Sequence, residues 1–288
     1  MISSMTGYAA LTREVAAGSI SLELRSVNSR FLDVQFRIAE ELRNTEPSLR
    51  ELAMASLARG KIDCRLAFTA SPAARGEAAL SAEALERLAR LSQRVRELIP
   101  EAEPLRVADV LHWPGVLGDD AREAEALRAA ATDAMRAALA ELAASRAREG
   151  EKLGRMLLER VGKIRTRLAA LGPLVPQAIA AYEERLAAKL REALGGADEE
   201  RIRQEIAVYG VRIDVAEELS RLAAHLDEVE RVLAAGGTVG KRLDFLMQEL
   251  NREANTLGSK SVSKELSAAA LEFKVLIEQM REQVQNLE

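Results

Sequence analysis

A helical sequence pattern runs almost without interruption from Ala121 to Leu194. Alanine and alternating charges dominate this stretch, and its clear breaks are Gly172-Pro173 and Pro176. Proline ends or kinks a helix because it lacks the amide hydrogen and clashes with the preceding turn. The pattern therefore predicts two helices of about 30 residues, each reaching roughly 45 Å, which form a long hairpin arm. Because such an arm cannot bury enough surface alone, it suggests contacts between subunits.

The first 70 residues instead alternate apolar and polar side chains with a period of two, which is typical of strands. Turn residues separate the alternating runs, and Pro47 stands near the start of one helical segment. The pattern predicts strands over residues 2–15, 20–25, 30–38 and 62–69. The single cysteine, Cys64, falls on the apolar side of the last strand, which indicates a buried side chain and excludes an internal disulfide.

These patterns predict an α+β protein made of four segments. A small, mostly antiparallel sheet unit covers residues 1–70, and a helical connector covers residues 71–120. The long helical hairpin arm follows at residues 121–196, and a C-terminal helical bundle completes the chain at residues 197–288. We expect the catalytic site in this last segment, because it holds the most varied polar side chains.

Composition and charge exclude several classes of protein. The chain has 288 residues, of which 48% are hydrophobic and 30% charged, so it can fold around a core and is not disordered. No stretch approaches 18 uninterrupted apolar residues, and the amino-terminal sequence lacks the features of a signal peptide. We therefore expect a cytoplasmic protein with no membrane partner. A net charge of −4 argues against a polycation that binds nucleic acid through bulk charge, so any RNA contact needs locally concentrated cations.

Two helices near the carboxyl end carry aligned polar stripes, and a glycine-rich break at residues 234–238 separates them. On the first helix, polar side chains recur at intervals of four, three and four residues: Asp214, Glu218, Arg221 and His225. The second helix, residues 241–260, places Glu249 and Glu253 four residues apart, where two carboxylates could share one cation. The short break favours antiparallel packing, so the stripes are predicted to face each other. Gly258 is predicted to end the second helix in a left-handed turn.

This polar cleft suits metal-assisted hydrolysis better than other catalytic chemistries. The sequence contains neither a nucleophile elbow nor a phosphate-binding loop of the required spacing. Candidate ligands for Mn²⁺ or Mg²⁺ are four carboxylates and one histidine: Asp214, Glu218, Glu249, Glu253 and His225. Such an ion would neutralise phosphate charge and activate water. The alternative is an ion-pair lattice between the two helices, which the spacing alone supports equally well.

Several irregular segments at both ends of the chain match a known family. In the carboxyl half they include Asp214–Leu219 (DVAEEL), Lys241–Phe245 (KRLDF), Asn251–Glu253 (NRE) and Leu276–Gln283 (LIEQMREQ). Nearer the amino end they include Ser4–Tyr8 (SMTGY), Arg25–Asn28 (RSVN), Arg146 and Arg148–Gly150 (REG). On these residues the chain resembles the YicC/YloC family of bacterial endoribonucleases over essentially its whole length. The resemblance implies RNA as a partner and a homo-oligomer, a hexamer, that encloses RNA in a central space.

The resemblance and the polar cleft together predict an endoribonuclease that cuts single-stranded or loop RNA with the help of Mn²⁺ or Mg²⁺. The candidate catalytic residues are Glu218, His225, Asp244, Glu249 and Glu253. The candidate RNA-binding residues are Arg25, Asn28, Arg30, Lys61, Arg221, Lys241, Gln248, Arg252, Asn255 and Lys260. Two alternatives stay open: a non-catalytic adaptor that presents RNA to another RNA-decay protein, and a structural helical scaffold.

Overall fold

The computed structural model describes residues 2–71, 80–116, 120–194 and 199–288. The chain divides into two compact units, one built from Gly7–Ser145 and the other from Met1–Thr6 together with Arg146–Glu288. The first unit contains a sheet and the second is built from helices, which confirms the predicted α+β class. None of the described helices is both long and apolar enough to cross a membrane. The finer division into four segments stays a prediction.

The first unit is built on a four-stranded sheet. Its strands are β1 Gly7–Val15, β2 Gly18–Val27, β3 Leu32–Ile38 and β4 Gly60–Ala70. The spatial order is β1-β2-β4-β3, and only β3 and β4 are parallel, so the sheet is mostly antiparallel as predicted. The strand predicted to begin at Ile2 begins at Gly7, because the preceding segment pairs instead with the carboxyl end through a bridge between Ser4 and Leu287.

The remaining regular elements of the described residues are helical. A 3₁₀ helix at Glu40–Thr45 leads into α1, and the α-helices are α1 Glu46–Ser56, α2 Ala82–Leu98, α3 Val107–Leu111, α4 Asp120–Leu171, α5 Leu174–Leu194, α6 Glu199–Ile213, α7 Ala216–Ala235, α8 Gly240–Lys260 and α9 Lys264–Val284. The boundary between α4 and α5 falls at the predicted break of residues 172–173. Pro176 does not break α5, because it lies in the first turn, where its missing amide hydrogen has no partner to lose.

One face of the sheet is buried in the first unit. Leu22, Leu24 and Cys64 are inaccessible to solvent and belong to one core cluster with Met135 and Leu142 of α4. Burying a leucine side chain contributes roughly 1.5–3 kcal/mol relative to leaving it exposed. Burial, aided by the nearby charge of Asp63, also raises the pKa of the Cys64 thiol to about 12. The thiol therefore stays protonated and unreactive, as expected of a buried strand residue.

Helix α4 is longer than the predicted 30 residues, and it is packed into core clusters rather than standing alone as an arm. It runs for 52 residues and contributes buried side chains to the cores of both units, for example Ala134 and Met135 to the first and Leu157 to the second. Its alanines serve as packing positions because small side chains let neighbouring elements approach closely. Helix α5 has only 21 residues and packs against α6.

Helices α7, α8 and α9 pack in sequence around the core of the second unit. Gly236 and Gly237 have φ angles of +68° and +83°, so the predicted break between α7 and α8 is a left-handed turn that glycine adopts without strain. The predicted end of α8 at Gly258 is wrong. The helix continues to Lys260, and Gly258 faces α9, where an added Cβ would lie 3.5 Å from the Cβ of Ala270. The glycine therefore serves helix packing rather than chain reversal.

The amino-terminal segment is held against α4 in the second unit. The Ser4 amide donates to the Arg146 carbonyl at 2.9 Å, and Arg146 Nε donates to the Ser4 carbonyl at 2.6 Å. Arg146 is buried and also pairs with the carboxylate of Glu288. A Cβ added at Gly150 would lie 2.4 Å from the carbonyl oxygen of Ile2. The close approach of two backbones at this point explains the glycine.

We expect Gly150→Ala to lower the free energy of unfolding by about 1–3 kcal/mol, because the added methyl group must displace backbone atoms. Gly162→Ala is the matched control on the same helix, since a Cβ there meets no atom within 4 Å. This control is expected to raise the free energy of unfolding by about 0.5–1 kcal/mol. Urea unfolding followed by circular dichroism measures both changes, and a stabilising effect of Gly150→Ala would contradict the close contact.

Candidate functional site

A buried ion pair joins α7 to the end of α8. Lys260 Nζ donates to Glu218 Oε1 at 2.7 Å and to the carbonyl oxygen of Asp214 at 3.0 Å. Glu218 is only 6% exposed, and its Oε2 has no hydrogen-bond partner among the described residues. The side chain of Asp214 accepts a hydrogen bond from the Ala216 amide at 2.9 Å, next to the start of α7. The predicted facing of the two polar stripes is therefore correct at this end.

A second charge pair lies one turn further along α7 and two turns back along α8. Arg221 Nη1 is 3.5 Å from Glu253 Oε1, and the Glu253 side chain is almost fully buried. Arg221 also pairs with Glu217 on its own helix. The negative charges of Glu217 and, next, Glu253 raise the pKa of Arg221, so the guanidinium stays charged.

A third pair crosses the opposite end of the same helices. Glu228 accepts hydrogen bonds from Arg231 on α7 at 2.7 Å and from Arg242 on α8 at 3.2 Å. These two arginines, Arg231 first, lower the pKa of Glu228 from 4.5 to about 2. The interaction therefore stabilises the fold above pH 4.5 and is lost progressively as the pH falls towards 2.

The register of these pairs places His225 opposite Glu249. His225 follows Arg221 by one turn on α7, and Glu249 precedes Glu253 by one turn on the antiparallel α8. Glu249 keeps 27% of its side-chain exposure and lies 4.0 Å from Arg252, while His225 is partly exposed. His225 and Glu249 lie between the Arg221–Glu253 pair and the exposed Glu228–Arg242 pair, and both are accessible to a ligand.

Asp244 and Gln248 lie on a different flank of α8. Gln248 Nε2 donates to Asp244 Oδ2 at 2.8 Å, and Arg281 of α9 lies 3.7 Å from Asp244 Oδ1. The structure therefore separates Asp244 from the carboxylates that face α7. Arg281 was not among the predicted site residues, because the spacing within one helix does not reveal a partner on the next.

The remaining predicted RNA-binding residues are on accessible surfaces. Lys241, Arg252 and Asn255 are exposed on α8, and Asn255 Nδ2 donates to Asn251 at 2.9 Å. In the first unit, four predicted contacts are exposed: Arg25, Asn28, Arg30 and Lys61. The Arg30 guanidinium lies 5.3 Å from the centre of the Phe31 ring. Their roles in RNA binding stay predictions.

The predicted metal ligands do not form a ligand group in this arrangement. Among the described residues, no cluster of three or more histidine, cysteine, aspartate or glutamate side chains is suited to hold a metal ion. Glu218 and Glu253 are paired with Lys260 and Arg221, so cationic side chains take the places that a metal would need. The unpartnered Glu218 Oε2 supplies only a single donor atom. The geometry fits the ion-pair lattice better than a preformed metal site.

Comparison with known proteins shows similarity along the whole chain. The family model described as "Endoribonuclease YicC-like, N-terminal region" matches residues 2–155, and "Endoribonuclease YicC-like, C-terminal" matches residues 172–288. A protein of Haemophilus influenzae named "Probable endoribonuclease YicC" is 40% identical over 288 residues, which is 100% of both chains. A protein of Clostridioides difficile with the same name is 25% identical over 297 aligned residues, again covering 100% of both chains.

Proposed function

This chain belongs to the YicC-like endoribonuclease family, and we propose on that basis that it cuts phosphodiester bonds within single-stranded or loop RNA. The match over the whole length of a relative named as a probable endoribonuclease carries this proposal. The α7–α8 surface supports it, because charged groups flank an accessible histidine and carboxylate there. We place the reaction at this surface.

His225 and Glu249 suit the acid–base part of cleavage. They occupy matching levels on antiparallel helices, and both side chains are partly exposed. A neutral imidazole or a carboxylate can accept a proton from the attacking oxygen, and the conjugate acid can return a proton to the leaving oxygen. Arg221 and Lys260 are held in place by buried carboxylates, so their positive charges are oriented before a phosphate arrives.

We also propose that RNA cleavage by this protein depends on Mn²⁺ or Mg²⁺. Lys260 or Arg221 would first have to release Glu218 or Glu253 before these carboxylates could ligate an ion. When bound, a divalent ion would neutralise phosphate charge and lower the pKa of a bound water.

The adaptor is the second candidate function. It is favoured by one observation, that Glu218 and Glu253 already have cationic partners, because an adaptor needs cations for RNA but no free carboxylates. In that case another RNA-decay protein would perform the cut.

We extend the proposal to a cytoplasmic homo-oligomer, with six subunits as the family resemblance implies. Exposed apolar side chains on the first unit support self-association: Leu91, Val95, Leu98, Val107 and Trp113. Large apolar groups exposed together mark contact surfaces in many proteins.

A circular single-stranded RNA tests the function, because only an endonuclease can open it. Purified protein with Mn²⁺ or Mg²⁺ is expected to linearise the circle, and a chelator is expected to stop the reaction until metal is restored. A Glu249→Gln variant purified in parallel controls for contaminating nucleases. Tight binding of the circle with no cutting under any metal condition would support the adaptor and contradict the enzyme.

A further inference from the structure

A cationic cavity lies in the second unit, next to the end of α8. It has a volume of about 690 Å³ and is bordered by α5, α6, the end of α8 and the start of α9. Three cations line it, Arg212, Lys260 and Lys264, and its described lining contains no aspartate or glutamate. A concentration of positive charge in a chain of net charge −4 indicates an anionic ligand.

Two of these cations form no ion pair with the residues that the structure describes, although, besides a backbone hydrogen bond, the charge of Lys264 contributes to lowering the pKa of the adjacent Glu265. Among the described residues, neither Arg212 nor Lys264 forms an ion pair, whereas Lys260 is held by Glu218. Many other arginines of the chain are paired with carboxylates, as Arg221 and Arg242 are on the neighbouring helices. The positive charges of Arg212 and Lys264 are thus available to a phosphate.

Aromatic rings line the same cavity. Tyr209 of α6 is 37% exposed, and the Arg212 guanidinium lies 5.6 Å from the centre of its ring. Tyr182 of α5 is partly exposed and also lines the cavity. Nucleic-acid bases stack on tyrosine rings and on guanidinium planes, so this pair offers a surface for an unpaired base.

Serine hydroxyls complete the lining. Ser261 Oγ and Ser267 Oγ are 2.6 Å apart, and Ser263 Oγ accepts a hydrogen bond from the Leu266 amide at 3.2 Å, capping α9. Ser259 also lines the cavity. The hydroxyls of Ser259, Ser261 and Ser267 already donate to backbone carbonyl oxygens, so they can accept a hydrogen bond from a ribose hydroxyl but have no proton left for a phosphate.

We propose that this cavity binds one nucleotide unit of an RNA strand, with the phosphate between Arg212 and Lys264 and the base against Tyr209. The proposal rests on the proposed RNA-cutting function and names a binding subsite for it. Lys260 lines the cavity and also pairs with Glu218 of the α7–α8 surface, so the subsite adjoins the proposed reaction site. His225 lies two turns of α7, about 10 Å, beyond Glu218, so a strand bound in the cavity would reach the proposed reaction site through its neighbouring nucleotides.

Fluorescence anisotropy with a labelled single-stranded RNA of about ten nucleotides tests the subsite on the full chain. Arg212→Gln combined with Lys264→Gln is expected to weaken binding about tenfold and to reduce the salt slope by roughly 0.7 for each lost contact. Tyr209→Leu is expected to weaken binding at least about fivefold, whereas Tyr209→Phe keeps the ring and should bind nearly as the wild type does. Arg203→Gln, an exposed change on α6 outside the cavity lining, is the control.

The possible results distinguish failure of the RNA subsite from failure of the proposed RNA-cutting function. Unchanged affinity and salt slope in the Arg212 and Lys264 double variant, with wild-type protein that binds and cuts RNA, overturns the subsite and leaves the proposed function intact. Wild-type protein that neither binds nor cuts RNA overturns the function. Competition by a nucleoside monophosphate or inorganic phosphate as strong as that by the oligonucleotide would identify a small-molecule site, which overturns the RNA subsite. Unfolding curves of all variants confirm that they are folded.

Discussion

A His225→Gln variant is expected to cut RNA about 10²–10⁴-fold more slowly than the wild type while binding RNA with similar affinity, because removal of a general acid or base has an effect of this size. Glu249→Gln is expected to fall in the same range. The two side chains lie at matching levels of α7 and α8 and are partly exposed, so their replacement leaves the buried pairs of the helices in place.

Glu228→Gln is the matched control for these variants. It also removes a charge from the α7–α8 interface, but Glu228 is paired with Arg231 and Arg242 and has no assigned part in the acid–base step. Single-turnover cleavage and equilibrium RNA binding should be measured separately, since only the cleavage rate is expected to change in the site variants. If His225→Gln and Glu249→Gln both cut at the wild-type rate, the acid–base assignment is wrong.

The polar stripes of the α7–α8 surface were predictable, but their partners were not. Helical periodicity places Glu218 and Arg221 on one face, and the short glycine turn favours antiparallel packing, which the structure confirms. Spacing within one helix does not determine rotation about its axis. For this reason the sequence did not show that Lys260 pairs with Glu218 and Arg221 with Glu253. It also did not show that Asp244 lies near Arg281 of α9.

Some elements of the fold were likewise predictable from the sequence and others were not. Two-residue alternation identified the strands, because one face of the sheet is buried and the other exposed. The role of α4 was not predictable in the same way, since an alanine-rich stretch is compatible with either a solvated helix or a closely packed one. The prediction that α8 ends at Gly258 was wrong for a related reason. Glycine near a helix end can end the helix, but it also permits close contact with a neighbouring helix, here at Ala270.

The cavity between α5, α6, α8 and α9 could not be predicted from the sequence, because it exists only in the tertiary structure. Its cations and tyrosines come from separate helices, for example Tyr182 from α5, Tyr209 from α6 and Lys264 from α9. No spacing within one segment relates residues that far apart in sequence. Only Lys260 of this group was predicted to bind RNA, because it lies on the same helix as the polar stripe.

The ion pair between Lys260 and Glu218 is expected to contribute strongly to the stability of the second unit. Lys260→Met should lower the free energy of unfolding by about 3 kcal/mol, because it leaves a carboxylate charged and buried without its cation. The Glu218 side chain is 7% exposed and that of Lys260 is 29% exposed, so water does little to compensate Glu218. This value is at the low end of the range for broken buried pairs, since Lys260 itself is partly accessible.

Two further variants test whether burial of Glu218, rather than the short distance to Lys260, determines how much this ion pair contributes to stability. Lys163 and Glu159 on α4 have the same 2.7 Å separation, but their side chains are 57% and 63% exposed. Lys163→Met is therefore expected to cost less than about 1 kcal/mol. Adding Glu218→Met to Lys260→Met should restore most of the lost stability, because it removes the orphaned charge and replaces it with an apolar side chain. Urea unfolding of the full double-mutant cycle measures the coupling, and equal losses in Lys260→Met and Lys163→Met would show that burial of Glu218 does not govern the pair.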